Sequence, residues 1–173
     1  MSQFMALFMA EQQIKVLMVC LGNICRSPTA EGIMRALLED SALEEAVGVE
    51  SAGTSAEHLG DEPDPRAHET AEQHGVTVDG TAQQFEIEDF DRFEYILAMD
   101  AENRDELSSL APDEDSEEKI FLIRDFETNA RRDQDVPDPY YGGADGFDET
   151  FQILDRACRG LLEHLVSQHD LDR

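Results

Sequence analysis

Apolar residues along this chain come in two rhythms. Ile14-Lys15-Val16-Leu17-Met18-Val19 is a short, β-branched and nearly unbroken apolar run, which reads as a strand buried on both faces in a parallel sheet. Beyond it, Ala30, Ile33, Met34, Leu37 and Leu38 recur at helical spacing to about Glu39. Ser27-Pro28 reads as the N-cap of that helix followed by proline at its first position. Strand, loop and helix make the first half of a βαβ unit. The alternation continues with a strand near Val47–Ser51, a loop carrying Pro63 and Pro65, and a helix from about Pro65 that Gly75 stops. A strand at Tyr95–Met99 follows, then a helix capped by Asp100 over roughly Ala101–Leu110, and a strand over Lys119–Ile123. A last helix runs from near Phe147 to Ser167, with Leu154, Ala157 or Cys158, Leu161 and Leu165 on one face. Four strands alternating with four helices predict an α/β fold, an open four-stranded parallel sheet with helices on both faces. In such sheets a ligand sits outside the carboxyl ends of the strands, near the switch point in strand order. The Cys20–Ser27 loop follows the first strand, where that rule places a site.

Composition changes this picture in two respects. The 173 residues suit one domain, expected over residues 14–173. The apolar stretch Phe4–Met9 has no basic flank and is too short to span a membrane, so residues 1–13 read as an N-terminal extension, with Met9 a candidate start. The net charge of −27 makes free nucleic acid a poor partner, and no membrane partner is expected. Leu, Ile, Val and Phe still make up about a quarter of the residues, above the ~20% below which charged chains stay disordered. An acidic skin over a folded core fits, because the carboxylates are interleaved with apolar runs from Glu11 to Asp172. Only Lys15 and Lys119 are lysines, and the composition resembles that of proteins from salt-accumulating halophiles. Self-repulsion on that scale predicts folding that needs salt, since at ~1 M the Debye length falls to ~3 Å. Three cysteines form no secretory disulfide pattern. A cytoplasmic monomer is the default expectation.

The candidate chemistry lies in Cys20-Leu21-Gly22-Asn23-Ile24-Cys25-Arg26-Ser27. Backbone N–H groups curled into a nest, a helix N-terminus and a forked guanidinium at Arg26 together make a site for a tetrahedral oxyanion. That field suits a thiolate nucleophile at Cys20, beneath the phosphorus it attacks. Gly22 and Asn23 suit the positive φ such a loop needs.

This stretch, from Val19 to Pro28, resembles the phosphate loop of the low-molecular-weight protein tyrosine phosphatases. Ser51-Ala52-Gly53-Thr54, Ala98-Met99-Asp100 and Asp138-Pro139-Tyr140-Tyr141-Gly142 resemble the family's other landmarks in the same order. The likeness covers about Ile14 to Val166. It implies that Cys20 attacks phosphorus to give a phosphocysteine, that Arg26 and the loop amides hold the equatorial oxygens, and that Asp138 is the general acid and then base. By the same resemblance Ser27 donates to the Cys20 sulfur, while Asn23, Ser51 and His74 form the hydrogen-bonded set that fixes the loop, with Asn23 left-handed. Asp100 steadies the loop from its strand end or serves as an N-cap. Tyr140 and Tyr141 form the aromatic wall for a substrate ring. Many members carry a further aromatic where this chain has Glu57, a departure that bears on ring recognition and on acidic phosphopeptides. Cys25 is implied as a redox partner for Cys20, whereas Cys158 on the stripe of the last helix reads as a core cysteine.

Phosphotyrosine-containing proteins or small aryl phosphates are the implied substrates. No cofactor is implied, and the five histidines form no zinc spacing with the cysteines. Arsenate reductases share the fold but relay electrons through further cysteines, and none lies between Cys25 and Cys158. Phosphoarginine phosphatases commonly carry Thr where this chain has Ile24. A non-catalytic module that binds phosphate or senses oxidants is a further alternative.

Overall fold

The computed structural model describes residues 13–128 and 134–172. The proposed extension and the candidate start at Met9 lie outside the described residues, except for Gln13. Four strands, β1 (Ile14–Cys20), β2 (Val47–Gly53), β3 (Tyr95–Ala98) and β4 (Ile120–Leu122), form one sheet in the order β2-β1-β3-β4. All three pairings are parallel, as the apolar runs predict. The chain leaves β1 toward β2 on one side and returns to β3 on the other. The strand order therefore reverses at the carboxyl ends of β1 and β3, the place where parallel sheets open a ligand crevice.

Among the described residues six helices accompany the sheet: α1 (Arg26–Asp40), α2 (Pro65–Gln73), α3 (Asp89–Arg92), α4 (Ala101–Leu110), α5 (Glu114–Glu117) and α6 (Ala144–Gln168). The period of two along β1 sorts its side chains between two cores. Val16, Met18 and Cys20 join Ile33, Met34, Leu154, Leu161 and Leu165 of α1 and α6 on one face. Leu17 and Val19 join Phe85, Phe90, Phe93 and Leu107 on the other. Among the described residues only Asp64 and Asp89 are buried carboxylates, so the acidic residues cover the outside of these cores.

Several boundaries differ from the sequence reading for local reasons. β2 runs on to Gly53 because Cys20 and Gly53 are register partners. Ile123 leaves the fourth strand to begin a 3-10 turn over Ile123–Phe126, and α6 starts at Ala144 rather than near Phe147. Helices α3 and α5 are single four-residue turns, too short for an apolar period to register. Ser27 is not the N-cap of α1: the helix starts at Arg26 with Cys25 as cap, and no side chain caps it. The serine hydroxyl is engaged by Cys20 and Asn23 instead.

Candidate active site

β1 delivers Cys20 to the carboxyl edge of the sheet, where the chain turns sharply before α1. The turn lies against Gly53, where a Cβ would stand 2.7 Å from the Leu21 carbonyl oxygen and 3.1 Å from the Gly22 carbonyl carbon. Asn23 takes the left-handed conformation at φ 57°, which costs an ordinary residue roughly 1–2 kcal/mol. Its buried side chain offsets that strain with three hydrogen bonds of about 1 kcal/mol each. Nδ2 donates to Ser27 Oγ at 2.8 Å and to Ser51 Oγ at 3.0 Å, while Oδ1 accepts from the Gln83 N–H at 2.9 Å. Gly22 is not among the glycines at positive φ. It instead leaves room for His58, whose Cδ2 would stand 2.9 Å from a Cβ at this position.

Cys20 is 3% exposed. Its sulfur lies 3.0 Å from Ser27 Oγ and accepts from the Asn23 N–H at 3.2 Å. Ser27 Oγ also accepts from Asn23 and lies 3.4 Å from the Ala52 carbonyl, so thiol and hydroxyl form one hydrogen-bonded pair in which either can donate.

Arg26, on the first turn of α1, is also 3% exposed. Its Nη1 donates to Asp100 Oδ2 at 2.6 Å and to the Val136 carbonyl at 3.0 Å, and Nη2 stands 3.5 Å from Asp138 Oδ2. Burial alone would lower the guanidinium's pKa, but the Cys20 sulfur and the two aspartates hold it above its ordinary value. Asp100 divides its oxygens between two tasks: Oδ1 caps α4 by accepting from the Asn103 N–H at 2.7 Å, and Oδ2 holds Arg26.

Asp138 reaches the same place from a loop tied to the end of β3. The Val136 N–H donates to the Met99 carbonyl at 2.7 Å, and Thr150 Oγ1 donates to the Pro137 carbonyl at 3.3 Å. Asp138 Oδ1 accepts from the Tyr140 N–H at 3.0 Å, which leaves Oδ2 facing Arg26. Cys20, Arg26 and Asp138 line one pocket, with Leu21, Gly22, Ile24, Cys25, Glu57, His58, Tyr140 and Tyr141 around them. Tyr141 is 92% exposed and meets Tyr140 edge-on at 4.9 Å. Tyr140 itself is partly buried against the cluster of Ile24, Ala67 and Phe147.

Over residues 15–171 the chain matches the family model described as Low molecular weight phosphotyrosine protein phosphatase. The chain belongs to that family. A Streptomyces coelicolor low molecular weight protein-tyrosine-phosphatase is 44% identical over 155 residues, covering 89% of this chain and 94% of that protein. The human low molecular weight phosphotyrosine protein phosphatase is 40% identical over 157 residues, with coverage of 90% and 98%. A solved protein tyrosine phosphatase from Entamoeba histolytica, with Hepes in its active site, superposes with a TM-score of 0.85 at 40% identity. That match covers 92% of this chain and all of the other. The sequence reading of the family and its fold is borne out.

Within this phosphatase framework, the three expected members of the loop-fixing set do not stay together. Asn23 and Ser51 are bonded to each other as described, but His74 stands apart. It closes α2, its Nε2–H donating to Asp148 Oδ1 at 2.8 Å and its ring stacking on Phe151 at 4.2 Å. That position locks α2 to α6 rather than supporting the phosphate loop. Its place in the network is taken by Gln83 and Glu31, which sequence reasoning missed. Gln83 Nε2 donates to the Ser51 carbonyl at 2.8 Å, and Ser51 Oγ donates to Glu31 Oε1 at 2.5 Å. Glu31 sits on the polar side of α1, and burial holds its pKa up against the Ser51 hydrogen bond and Arg35. Its only sequence signal was a carboxylate four residues before Arg35, with which it pairs at 2.7 Å. His58 was likewise read only as one histidine of five. Cys158 lies wholly buried on α6, its thiol 3.6 Å from the Ala30 carbonyl, a core position.

Chemically, the pocket brings together a cysteine sulfur, a charged donor fork and a carboxyl group. The orphan N–H groups of the 15-residue α1 open onto the same loop. Among the described residues, no group of three or more His, Cys, Asp or Glu could hold a metal ion, and no helix is long and apolar enough to cross a membrane.

Proposed function

We propose that this phosphatase hydrolyses phosphotyrosine and small aryl phosphates through a phosphocysteine at Cys20. The observation that carries the reading is the convergence of Cys20, Arg26 and Asp138 on one pocket, with Asp138 Oδ2 3.5 Å from Arg26 Nη2. In the first step the Cys20 thiolate attacks phosphorus, the bond from phosphorus to the aryl oxygen breaks, and the Asp138 proton passes to the leaving phenolate. In the second, water attacks phosphorus, Asp138 takes its proton, and the bond to sulfur breaks to release phosphate and restore the thiolate. Arg26 and the N–H groups of the loop hold the phosphoryl oxygens throughout. Ser27 supports the sulfur as nucleophile and as leaving group. Ile24 and the two tyrosines favour an aromatic leaving group over a guanidinium.

The test is hydrolysis of para-nitrophenyl phosphate and phenyl phosphate at mildly acidic pH and ~1 M KCl, where the acidic surface is screened. Replacing Asp138 by alanine should lower kcat/KM for phenyl phosphate by about 10²–10⁴-fold, with a smaller loss for the para-nitro ester, whose leaving group needs no proton. Equal losses on the two esters would remove Asp138 from the acid role.

Cys25 is the expected resolving thiol for an oxidised Cys20. Both cysteines are free and line the same pocket. Burial first, and then the charge of Asp64, push the Cys25 thiol far up, so it rests protonated and inert beside the nucleophile. Peroxide should inactivate the wild type reversibly under dithiothreitol. The Cys25→Ser protein should recover little, and full recovery would discard the pairing. Three unpaired cysteines suit a reducing, cytoplasmic setting. Phosphoproteins are the partners this reading implies, with the chain acting as a monomer.

A further inference from the structure

The carboxyl proposed as general acid hangs from a loop, and its oxygen Oδ1 is held by one backbone group, the N–H of Tyr140. What holds Tyr140 therefore decides where Asp138 points. The Tyr140 carbonyl accepts from Arg66 Nη2 at 3.1 Å. The same guanidinium lies 5.5 Å from the centre of the Tyr140 ring and 4.6 Å from that of Phe147, on the first turns of α6. Cation–π contacts at these distances add to the hydrogen bond.

The other side of the guanidinium is anchored. Nε and Nη2 of Arg66 bind the two oxygens of Asp64 at 3.0 and 2.9 Å. Asp64 Oδ1 also accepts from the Arg66 N–H at 2.9 Å, capping α2. Asp64 is buried, and its own N–H donates to the Ile24 carbonyl of the phosphate loop at 2.8 Å. An unbroken path of hydrogen bonds thus runs from the phosphate loop through Ile24, Asp64, Arg66 and Tyr140 to Asp138. The planar fork matters here, because one group must meet two carboxylate oxygens and a carbonyl at fixed angles.

We propose that Arg66 is a positioning residue that straps the Asp138 loop to the phosphate loop and sets the aim of the general acid. The inference rests on the assignment of Asp138 made above. Arg66 is not among the residues that line the pocket of Cys20 and Arg26, so its loss should spare binding and affect proton delivery.

The test is kcat/KM, which reports the first chemical step, for phenyl and para-nitrophenyl phosphate in wild type, Arg66→Ala, Arg66→Lys, Asp138→Ala and Arg66→Ala/Asp138→Ala. Arg66→Ala should cost about tenfold or more on phenyl phosphate, as displacement of a catalytic group does, and only about twofold on the para-nitro ester. Arg66→Lys should lie between wild type and alanine, and it carries the same comparison if the alanine protein does not fold. In the Asp138→Ala background the second substitution should add no further loss, since there is no acid left to aim. Losses that multiply in the double variant, or that are equal on both esters, would overturn the role of Arg66. If Asp138→Ala itself showed no dependence on the leaving group, the acid assignment would fall and this inference with it. If Asp138→Ala shows it and neither Arg66 variant does, only the strap is refuted.

Discussion

Replacing Cys20 by serine should leave a folded protein that binds phosphate and turns nothing over. The exchange alters one atom in a site where that atom is 3.0 Å from Ser27 Oγ and accepts the Asn23 N–H, contacts that an alkoxy oxygen can also meet. The cavity, Arg26 and the start of α1 are untouched, so calorimetry should find inorganic phosphate or vanadate bound within about tenfold of the wild-type affinity. Chemistry is different, because an un-ionised hydroxyl is a far weaker nucleophile than a thiolate. Removing a nucleophile typically costs on the order of 10⁴–10⁶ in kcat. Hydrolysis of para-nitrophenyl phosphate should therefore fall to background, and the acid-quenched, phosphorus-labelled thiol seen with wild type should vanish. Residual turnover within a hundredfold of wild type would mean that water attacks phosphorus directly and that Cys20 is a binding residue. Turnover lost together with phosphate binding would mean that the sulfur holds the loop in shape.

The parts of this site that could be read along the chain are those whose chemistry and geometry are local. Cys20, Asn23, Arg26 and Ser27 sit within eight consecutive residues between a buried strand and a helix, so topology alone brings them to the crevice. Asp100 was readable for a similar reason. It stands two residues past the end of β3, the strand beside β1, and a parallel sheet puts the carboxyl ends of neighbouring strands together. His74 misled because a polar residue next to a helix-ending glycine has no intrinsic direction, and packing of α2 on α6 turns it toward Asp148. Gln83 is placed by the loop that crosses the end of β2, where the Gly53 N–H donates to the Gln83 carbonyl and the Gly53 carbonyl accepts from the Phe85 N–H. No period in the sequence marks such a crossing. Arg66 was silent for another reason: exposed arginines on a helix are ordinary surface residues until a loop from 74 positions away lays its carbonyl on one.

The Arg26→Lys protein should lose activity far more than it loses stability. Arg26 is buried, and one of its nitrogens serves both Asp100 Oδ2 and the Val136 carbonyl, while the other faces the pocket toward Asp138. A lysine ammonium can reach Asp100 and keep that partly buried carboxylate paired, so the melting temperature should drop by only a few degrees, on the order of 1 kcal/mol for a domain of this size. It cannot at the same time present a second donor to a phosphoryl oxygen, and the loss of one preorganised donor to a developing charge costs about 10²–10³-fold. Arg26→Ala separates the two contributions. It leaves Asp100 without its cation in a largely dry place and should cost about 3 kcal/mol or more in stability, as breaking a buried pair does. Adding Asp100→Asn to Arg26→Ala should restore much of that stability and none of the activity. Thermal melts and para-nitrophenyl phosphate kinetics on the four proteins decide it. Activity that followed stability across the series would show that Arg26 works as a brace for the strand ends, with the phosphate held by the loop amides alone.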